Sequence, residues 1–261
     1  MDGTEQTDNL ETPFLLAYEA GAAYSVLRDT RLRGSVASGY NRFYSKYGNF
    51  GFDAFNPAGA QDEIVESLTL EGGVRQSWGK GYADLAVYNI VQENVPRRNG
   101  GAIESMEVHQ SGVEIETEHT FDNALTVSGG LMYMFDVESF RADGSSNNGN
   151  VFFGNNGVPT PELQALLRAQ YSISEQWLVW GMGYYNTGFT RENADGTSTL
   201  TNDYYRFDLG AAWQPTDKFA VRFRIENLLD EKDFGQTVEG NPVADADKIG
   251  RVFWVGFDYA F

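Results

Sequence analysis

Apolar and polar positions alternate with a period of two along most of this chain. The closing stretch, residues 251–261, shows it best: Phe253, Val255, Phe257, Tyr259 and Phe261 share one parity, and Val252, Trp254, Gly256, Asp258 and Ala260 the other. Side chains alternate across a strand, so this segment presents one apolar, aromatic face and one more polar face. About ten alternating residues is the length with which a tilted strand crosses a bilayer. The pattern predicts the closing strand of a transmembrane β-barrel. Reading the same alternation back through the chain predicts eleven strands, near 14–26, 31–43, 63–77, 81–93, 103–119, 123–137, 161–173, 176–188, 203–214, 218–228 and 250–261.

The connections sort by length. Residues 27–30, 79–80, 120–122, 174–175 and 214–217 read as tight turns, whereas 44–62, 94–102, 138–160, 189–202 and 229–249 read as long loops. Short and long alternate strictly, as in barrels with short periplasmic turns and long extracellular loops. Facing patterns recur in several strands. Phe219, Val221, Phe223 and Ile225 oppose Arg222, Arg224 and Glu226; Tyr205, Phe207, Leu209, Ala211 and Trp213 oppose Tyr204, Arg206, Asp208 and Gly210; Val113 and Ile115 oppose Glu114, Glu116 and Glu118. Arginines and carboxylates on one parity suit neighbouring strands that pair charges across a lumen. A half-exposed antiparallel sheet with a solvated outer face gives the same alternation, and a soluble all-β binding protein stays open at this point. Eleven antiparallel strands leave the first and last running the same way, so the expectation is part of a larger, even-stranded barrel.

Composition narrows the function classes. The chain has 261 residues, 41% hydrophobic and 14% aromatic, with 29 glycines and 7 prolines. No apolar run reaches the length of a transmembrane helix. A net charge of −18 disfavours nucleic acid, which needs a basic stripe. Cysteine is absent, which removes disulfides and thiolate chemistry. The start, residues 1–11, is polar and acidic, with neither the basic n-region nor the apolar h-region of a secretory signal.

Candidate chemistry is sparse. His109 and His119 are the only histidines; they read as structural rather than as metal ligands. Ser111 lies two positions from His109 on the same face, which does not by itself make a catalytic dyad. The stretches 141–148 and 193–197 contain Asp-Gly and resemble fragments of calcium loops, yet lack the alternating carboxylates of an EF-hand and read as turns. Tyr44, Tyr47, Phe50, Phe52, Phe55, Phe152 and Phe153 either cradle an apolar ligand face or pack the loops together. Catalytic residues, cofactors and metals are therefore expected to be none.

The stretch Glu226-Asn-Leu-Leu-Asp230, after an amphipathic strand and before a last strand ending in Phe261, resembles the C-terminal signature of TonB-dependent receptors. Residues 66–75 (Glu-Ser-Leu-Thr-Leu-Glu-Gly-Gly-Val-Arg), 88–95 (Tyr-Asn-Ile-Val-Gln-Glu-Asn-Val), 110–116 (Gln-Ser-Gly-Val-Glu-Ile-Glu) and 204–208 (Tyr-Tyr-Arg-Phe-Asp) are similar to further stretches of that family in the same order. Read without the family, Asn227 and Asp230 bond local backbone where the strand leaves the membrane, and Leu228 or Leu229 anchors it. The resemblance implies an all-β, antiparallel barrel segment of about eleven strands out of about 22 in the bacterial outer membrane. It divides the chain into a polar segment, 1–11, and the C-terminal part of the barrel, 12–261.

It also implies uptake of a ferric siderophore or similar scarce ligand by the parent protein. The TonB complex would act through a plug that this sequence does not contain, so the fragment itself is not expected to transport. Outer-membrane lipid and the barrel-assembly machinery are the other implied partners, the latter reading Phe257, Tyr259 and Phe261; ligand-contact residues are left unassigned. A self-contained outer-membrane barrel (passive pore, adhesin or lipid enzyme) is the alternative.

Overall fold

The computed structural model describes residues 15–42, 64–99, 102–141, 144, 146–148, 151–152, 161–188, 190–192, 198–232 and 250–260. These form strands β1 (Tyr18–Leu27), β2 (Thr30–Arg42), β3 (Ile64–Trp78), β4 (Gly81–Asn99), β5 (Ala102–Thr120), β6 (Leu125–Arg141), β7 (Ser146–Asn148), β8 (Val151–Phe152), β9 (Leu163–Ser172), β10 (Trp177–Asn186), β11 (Thr190–Glu192), β12 (Ser198–Leu200), β13 (Tyr204–Thr216), β14 (Phe219–Glu226) and β15 (Val252–Tyr259). Eleven long strands make one meandering antiparallel sheet in the order β1-β2-β3-β4-β5-β6-β9-β10-β13-β14-β15, and β7 pairs with β6. The short strands β12, β11 and β8 form a separate small sheet at the loop end.

All eleven predicted strands are present. The short connections are tight: Leu27 pairs with Thr30, Trp78 with Gly81, and Thr216 with Phe219. Gly79 takes a φ of +40°, a conformation that costs a glycine little. These turns lie at one end of the sheet, and the long connections at the other.

One predicted loop is not a loop. The 94–102 stretch reads as irregular because it carries Asn94, Pro96 and two glycines, yet β4 runs on to Asn99 and β5 starts at Ala102. The ladder shifts register between Gln92 and Val95, with Asn94 at a φ of +59°. An asparagine tolerates that left-handed backbone, so the extra residue is taken up as a bulge and pairing resumes at Val95–Met106 and Pro96–Ser105. Strand β6 likewise extends to Arg141, beyond its predicted end.

Among the described residues no second layer covers the apolar parity. Leu32, Leu70, Leu85, Val87, Ile115, Leu131, Leu167, Phe207, Leu209, Phe223, Phe253, Val255 and Phe257 are all exposed. The buried side chains belong mostly to the opposite face, including Ala86, Tyr88, Met134 and Asp208. An exposed apolar face this continuous marks contact with something other than water. Residues 1–11 lie outside the described residues.

Candidate functional site

Cross-strand register puts like with like. In one row Trp177 faces Trp213; further along, Gly181 faces Leu209, Leu209 faces Ile225, and Ile225 faces Phe253. On the other parity Arg206, Asp208, Arg224 and Glu226 fall together on β13 and β14. Several charges on that face pair across neighbouring strands. Arg33 of β2 pairs with Glu71 of β3 at 2.9 Å and also with Asp84 of β4. The Arg75 guanidinium lies 3.7 Å above the Tyr82 ring, a cation–π contact, and the Tyr82 hydroxyl donates to Glu116. Arg222 meets Asp258 at 3.1 Å across β14 and β15.

The densest cluster sits where β13 and β14 reach the long-loop end. Asp208 is 1% exposed. Arg206 donates to both of its oxygens at 2.8 Å, Arg224 donates to Oδ2 at 3.3 Å, and the backbone N–H of Asn227 donates to Oδ1 at 2.9 Å. Glu226 accepts from Arg206 at 3.2 Å and pairs with Arg224 at 3.1 Å. A carboxylate buried with this many donors forms a charge-assisted network rather than an uncompensated charge. The indole of Trp180 lies on Gly210, where a Cβ would collide with its ring, and Arg224 stands 5.9 Å from that ring.

The 226–230 motif continues from this cluster. Asn227 has a φ of +52°, its amide donates to the Glu231 carbonyl at 2.7 Å, and its Oδ1 accepts from the Glu231 N–H at 2.8 Å. The Leu228 N–H reaches back to the Phe207 carbonyl at 2.7 Å. Asp230, also left-handed at +58°, accepts from the Arg251 N–H at 2.8 Å and pairs with Lys232 at 3.1 Å. These bonds hold its carboxyl below the usual carboxylate range, the Arg251 N–H contributing most. Leu229 is exposed. The motif thus ties the exit of β14 to both β13 and the entry of β15. Asp208, its central acceptor, was not singled out from the sequence; its parity with Arg206, two residues before it, is the signal that points there.

At the turn end, aromatics gather on the apolar face. Trp177 stacks on Trp213 with centroids 5.8 Å apart, and Phe219 on Phe257 at 6.4 Å. Tyr259 pairs with Phe219 in the ladder and is exposed. His119 accepts from the Trp78 indole at 3.0 Å and sits edge-on to Phe121 at 4.5 Å. His109 lies beside Glu107 and edge-on to Phe140 at 5.1 Å, while Ser111 Oγ accepts from Asn89 at 2.9 Å. No group of three metal-ligating side chains occurs among the described residues. Phe261, the calcium-like stretch at 193–197, Phe153 and the loop aromatics between 44 and 55 lie outside the described residues.

A two-faced wall with turns at one end and loops at the other has known counterparts. The profile of the family described as TonB dependent receptor-like, beta-barrel, matches residues 3–228. The chain belongs to this family. Solved structures of similar fold include the ferric-catecholate import receptor Fiu of E. coli K12, at a TM-score of 0.65 and 18% identity, covering 95% of this chain and 35% of that one. The ferric enterobactin receptor PfeA of Pseudomonas aeruginosa matches at 0.67 and 14%, covering 94% and 40%. The iron transporter FrpB of Neisseria meningitidis matches at 0.68 and 13%, covering 93% and 38%. No curated protein matches the chain by sequence. The chain therefore spans well under half the length of these relatives, and at these identities the likeness speaks for the fold.

For a TonB-dependent receptor barrel the faces have names. The apolar face is the outer-membrane, lipid-facing surface, and the charged face lines the lumen. The turn-end aromatics, Trp78 beside His119 and, several strands away, Trp177 on Trp213, fall at the periplasmic interface, and the Asp208 cluster at the extracellular half of the lumen wall.

Proposed function

We propose that this chain is the C-terminal part of the barrel of an outer-membrane receptor that imports a ferric siderophore or a similarly scarce ligand. The observation that carries the reading is the family match over residues 3–228, on a wall whose outer and lumen faces separate apolar from charged side chains. Residues 12–261 form the barrel part and 1–11 a polar lead-in. The chain supplies wall, loops and lumen charge; a plug and the TonB complex acting on it supply coupling to energy. The barrel-assembly machinery reads the end at Phe257, Tyr259 and Phe261 during insertion, and Glu226 to Asp230 fix the last loop against the wall. Catalysis has no place in this reading: the solved relatives are described as receptors and transporters, and the described histidines are held in aromatic and acidic contacts.

The test is uptake of radiolabelled ferric siderophores by cells carrying the intact receptor, with and without an inner-membrane proton gradient. Uptake of one siderophore that collapses when the gradient is discharged supports the proposal. Gradient-independent passage of unrelated small solutes would assign a passive pore instead.

A further inference from the structure

The lumen face changes character along its height. On β2 to β5 charged side chains such as Arg33, Arg75, Asp84 and Glu116 lie toward the turns, and this charge stops at Glu71 on β3 and Glu114 on β5. Nearer the loops, Ala37, Thr69, Ile90, Gln110 and Val137 are successive register partners on β2 to β6. Gly39, Ser67, Gln92, Val108 and Ser139 form the next row outward. Neither row has a charged side chain between β2 and β6. The first row continues to Glu19 on β1. Charge resumes at the strand tips, where Arg141 falls opposite Met106 and Arg97 opposite Glu104.

On β9 to β14 the balance is also even. Arg206 and Arg224 are matched by Asp208 and Glu226, while Arg168, bonded to Gln170, is offset in the total by Glu19. What this part of the wall offers a guest is neutral: the rings of Tyr184 and Tyr204, edge to face at 6.2 Å, and the amides of Gln92 and Gln110. Each amide supplies both donors and an acceptor. An ion leaving water needs a counter-charge to replace its hydration, and the two rows have none to give. Iron(III) held by three hydroxamates, each singly negative, is uncharged. Held by three catecholates, each doubly negative, it is a trianion.

We infer that the ligand drawn into this lumen is an electrically neutral ferric complex of the hydroxamate class, held at Gln92 and Gln110 by hydrogen bonds and not by ion pairs. The inference rests on the import reading above and narrows its ligand by charge. A trianion entering the same rows gives up water and meets no cation between β2 and β6, so desolvation turns it away. A neutral complex gives up less and keeps its hydrogen bonds through the two amides.

The test is competitive binding of radiolabelled iron complexes to the intact receptor purified in detergent: neutral ferrichrome, cationic ferrioxamine B and trianionic ferric enterobactin. Ferrichrome is expected to bind at least about tenfold more tightly than ferric enterobactin, the trianion having no counter-charge in the two rows. Gln110→Arg sets a cation among them and is expected to bring that ratio toward one, whereas Gln110→Glu is expected to widen it. Gln110→Leu is expected to weaken ferrichrome by about fivefold, the loss of one hydrogen bond, without reversing the order. Variants are compared at equal β-sheet content by circular dichroism, so that a folding defect is not read as a change of preference. Tighter binding of ferric enterobactin or ferrioxamine B than of ferrichrome, or a ratio untouched by both Gln110→Arg and Gln110→Glu, would overturn the assignment. If the receptor binds none of the three yet imports another ferric complex, the charge of that complex decides: a neutral one supports the inference and a charged one overturns it. A receptor with no gradient-dependent uptake of any iron complex would instead overturn the import reading beneath it.

Discussion

Asp208 and Leu209 are neighbours on β13 that face opposite ways, and the comparison shows how one strand serves two solvents. Leu209 presents its side chain to hydrocarbon, faces Gly181 and Ile225 in the ladder, and contributes by matching the apolar surroundings. Asp208 is almost wholly enclosed and contributes by bonding: two arginines and one backbone N–H converge on it. The outer face thus tolerates exchange of one apolar group for another and rejects charge. The lumen face tolerates charge and rejects the loss of a partner. The same period of two that produces both faces gives each a different failure mode.

The largest effect is expected from breaking the lumen side. Asp208→Ala leaves Arg206 and Arg224 without their shared acceptor and the Asn227 N–H unpaired. Removing one member of a buried ion cluster costs about 3–5 kcal/mol, here toward the lower end because both arginines reach solvent. Denaturant unfolding of the intact receptor in lipid vesicles reads it, and Asp208→Asn should recover part of the loss by keeping acceptor and shape. Next comes Leu209→Arg, which places a charge on the lipid face at about 2–4 kcal/mol if it lies near the midplane. Its mirror control is Leu209→Phe, expected to be nearly silent in the same measurement. If Leu209→Arg proved silent while Leu209→Phe destabilised, the outer face would be packed against protein and not lipid.

Most of the wall was legible in the sequence because a period of two needs no tertiary knowledge. Phe219 to Glu226 and Val252 to Tyr259 carry their facing in their order alone, and the structure keeps it. The 94–102 stretch was misread because Asn94 and Pro96 are turn residues by local chemistry, whereas the bulge that absorbs Asn94 is defined by the partner strand β5. The 226–230 motif was legible as a local turn, but its anchor was not. Asp208 lies nineteen residues earlier in the chain, and only the pairing of β13 with β14 brings it to the Asn227 N–H. Burial on the lumen face is likewise a property of the assembled sheet, so Asp208 reads in sequence like any other lumen carboxylate.

Smaller effects sharpen the comparison at the loop end. Asn227→Ala removes two bonds to Glu231 and places a Cβ residue without a compensating amide at a φ of +52°, for an expected cost of about 1–2 kcal/mol. Asn227→Gly relieves the backbone but not the lost bonds and should fall between the two. Equal losses for alanine and glycine would assign the whole effect to the amide.

The smallest effect is one of pH, and it separates the loop carboxylates from the wall. Asp203 and Asp230 both lie outside the spanning strands and both have their carboxyls held below the usual range. For Asp203 the Gly188 N–H contributes most, followed by the Tyr185 hydroxyl; for Asp230 the Arg251 N–H contributes most, followed by Lys232. A carboxyl depressed in the folded state stabilises that state at pH above its unfolded value of about 3.9, and the contribution disappears as pH falls through the lower folded value. Local order at both tethers should therefore be flat from neutrality down to about pH 5, then weaken as the medium turns more acidic. Hydrogen exchange at the Gly188 and Arg251 amides, corrected for intrinsic rates, reads each tether directly. Asp230→Asn should flatten the Arg251 profile while leaving Gly188 unchanged, since the two carboxylates have no bonding partner in common. A parallel loss at both amides in that variant would mean that the loops respond as one body, and that the lumen wall beneath them transmits the change.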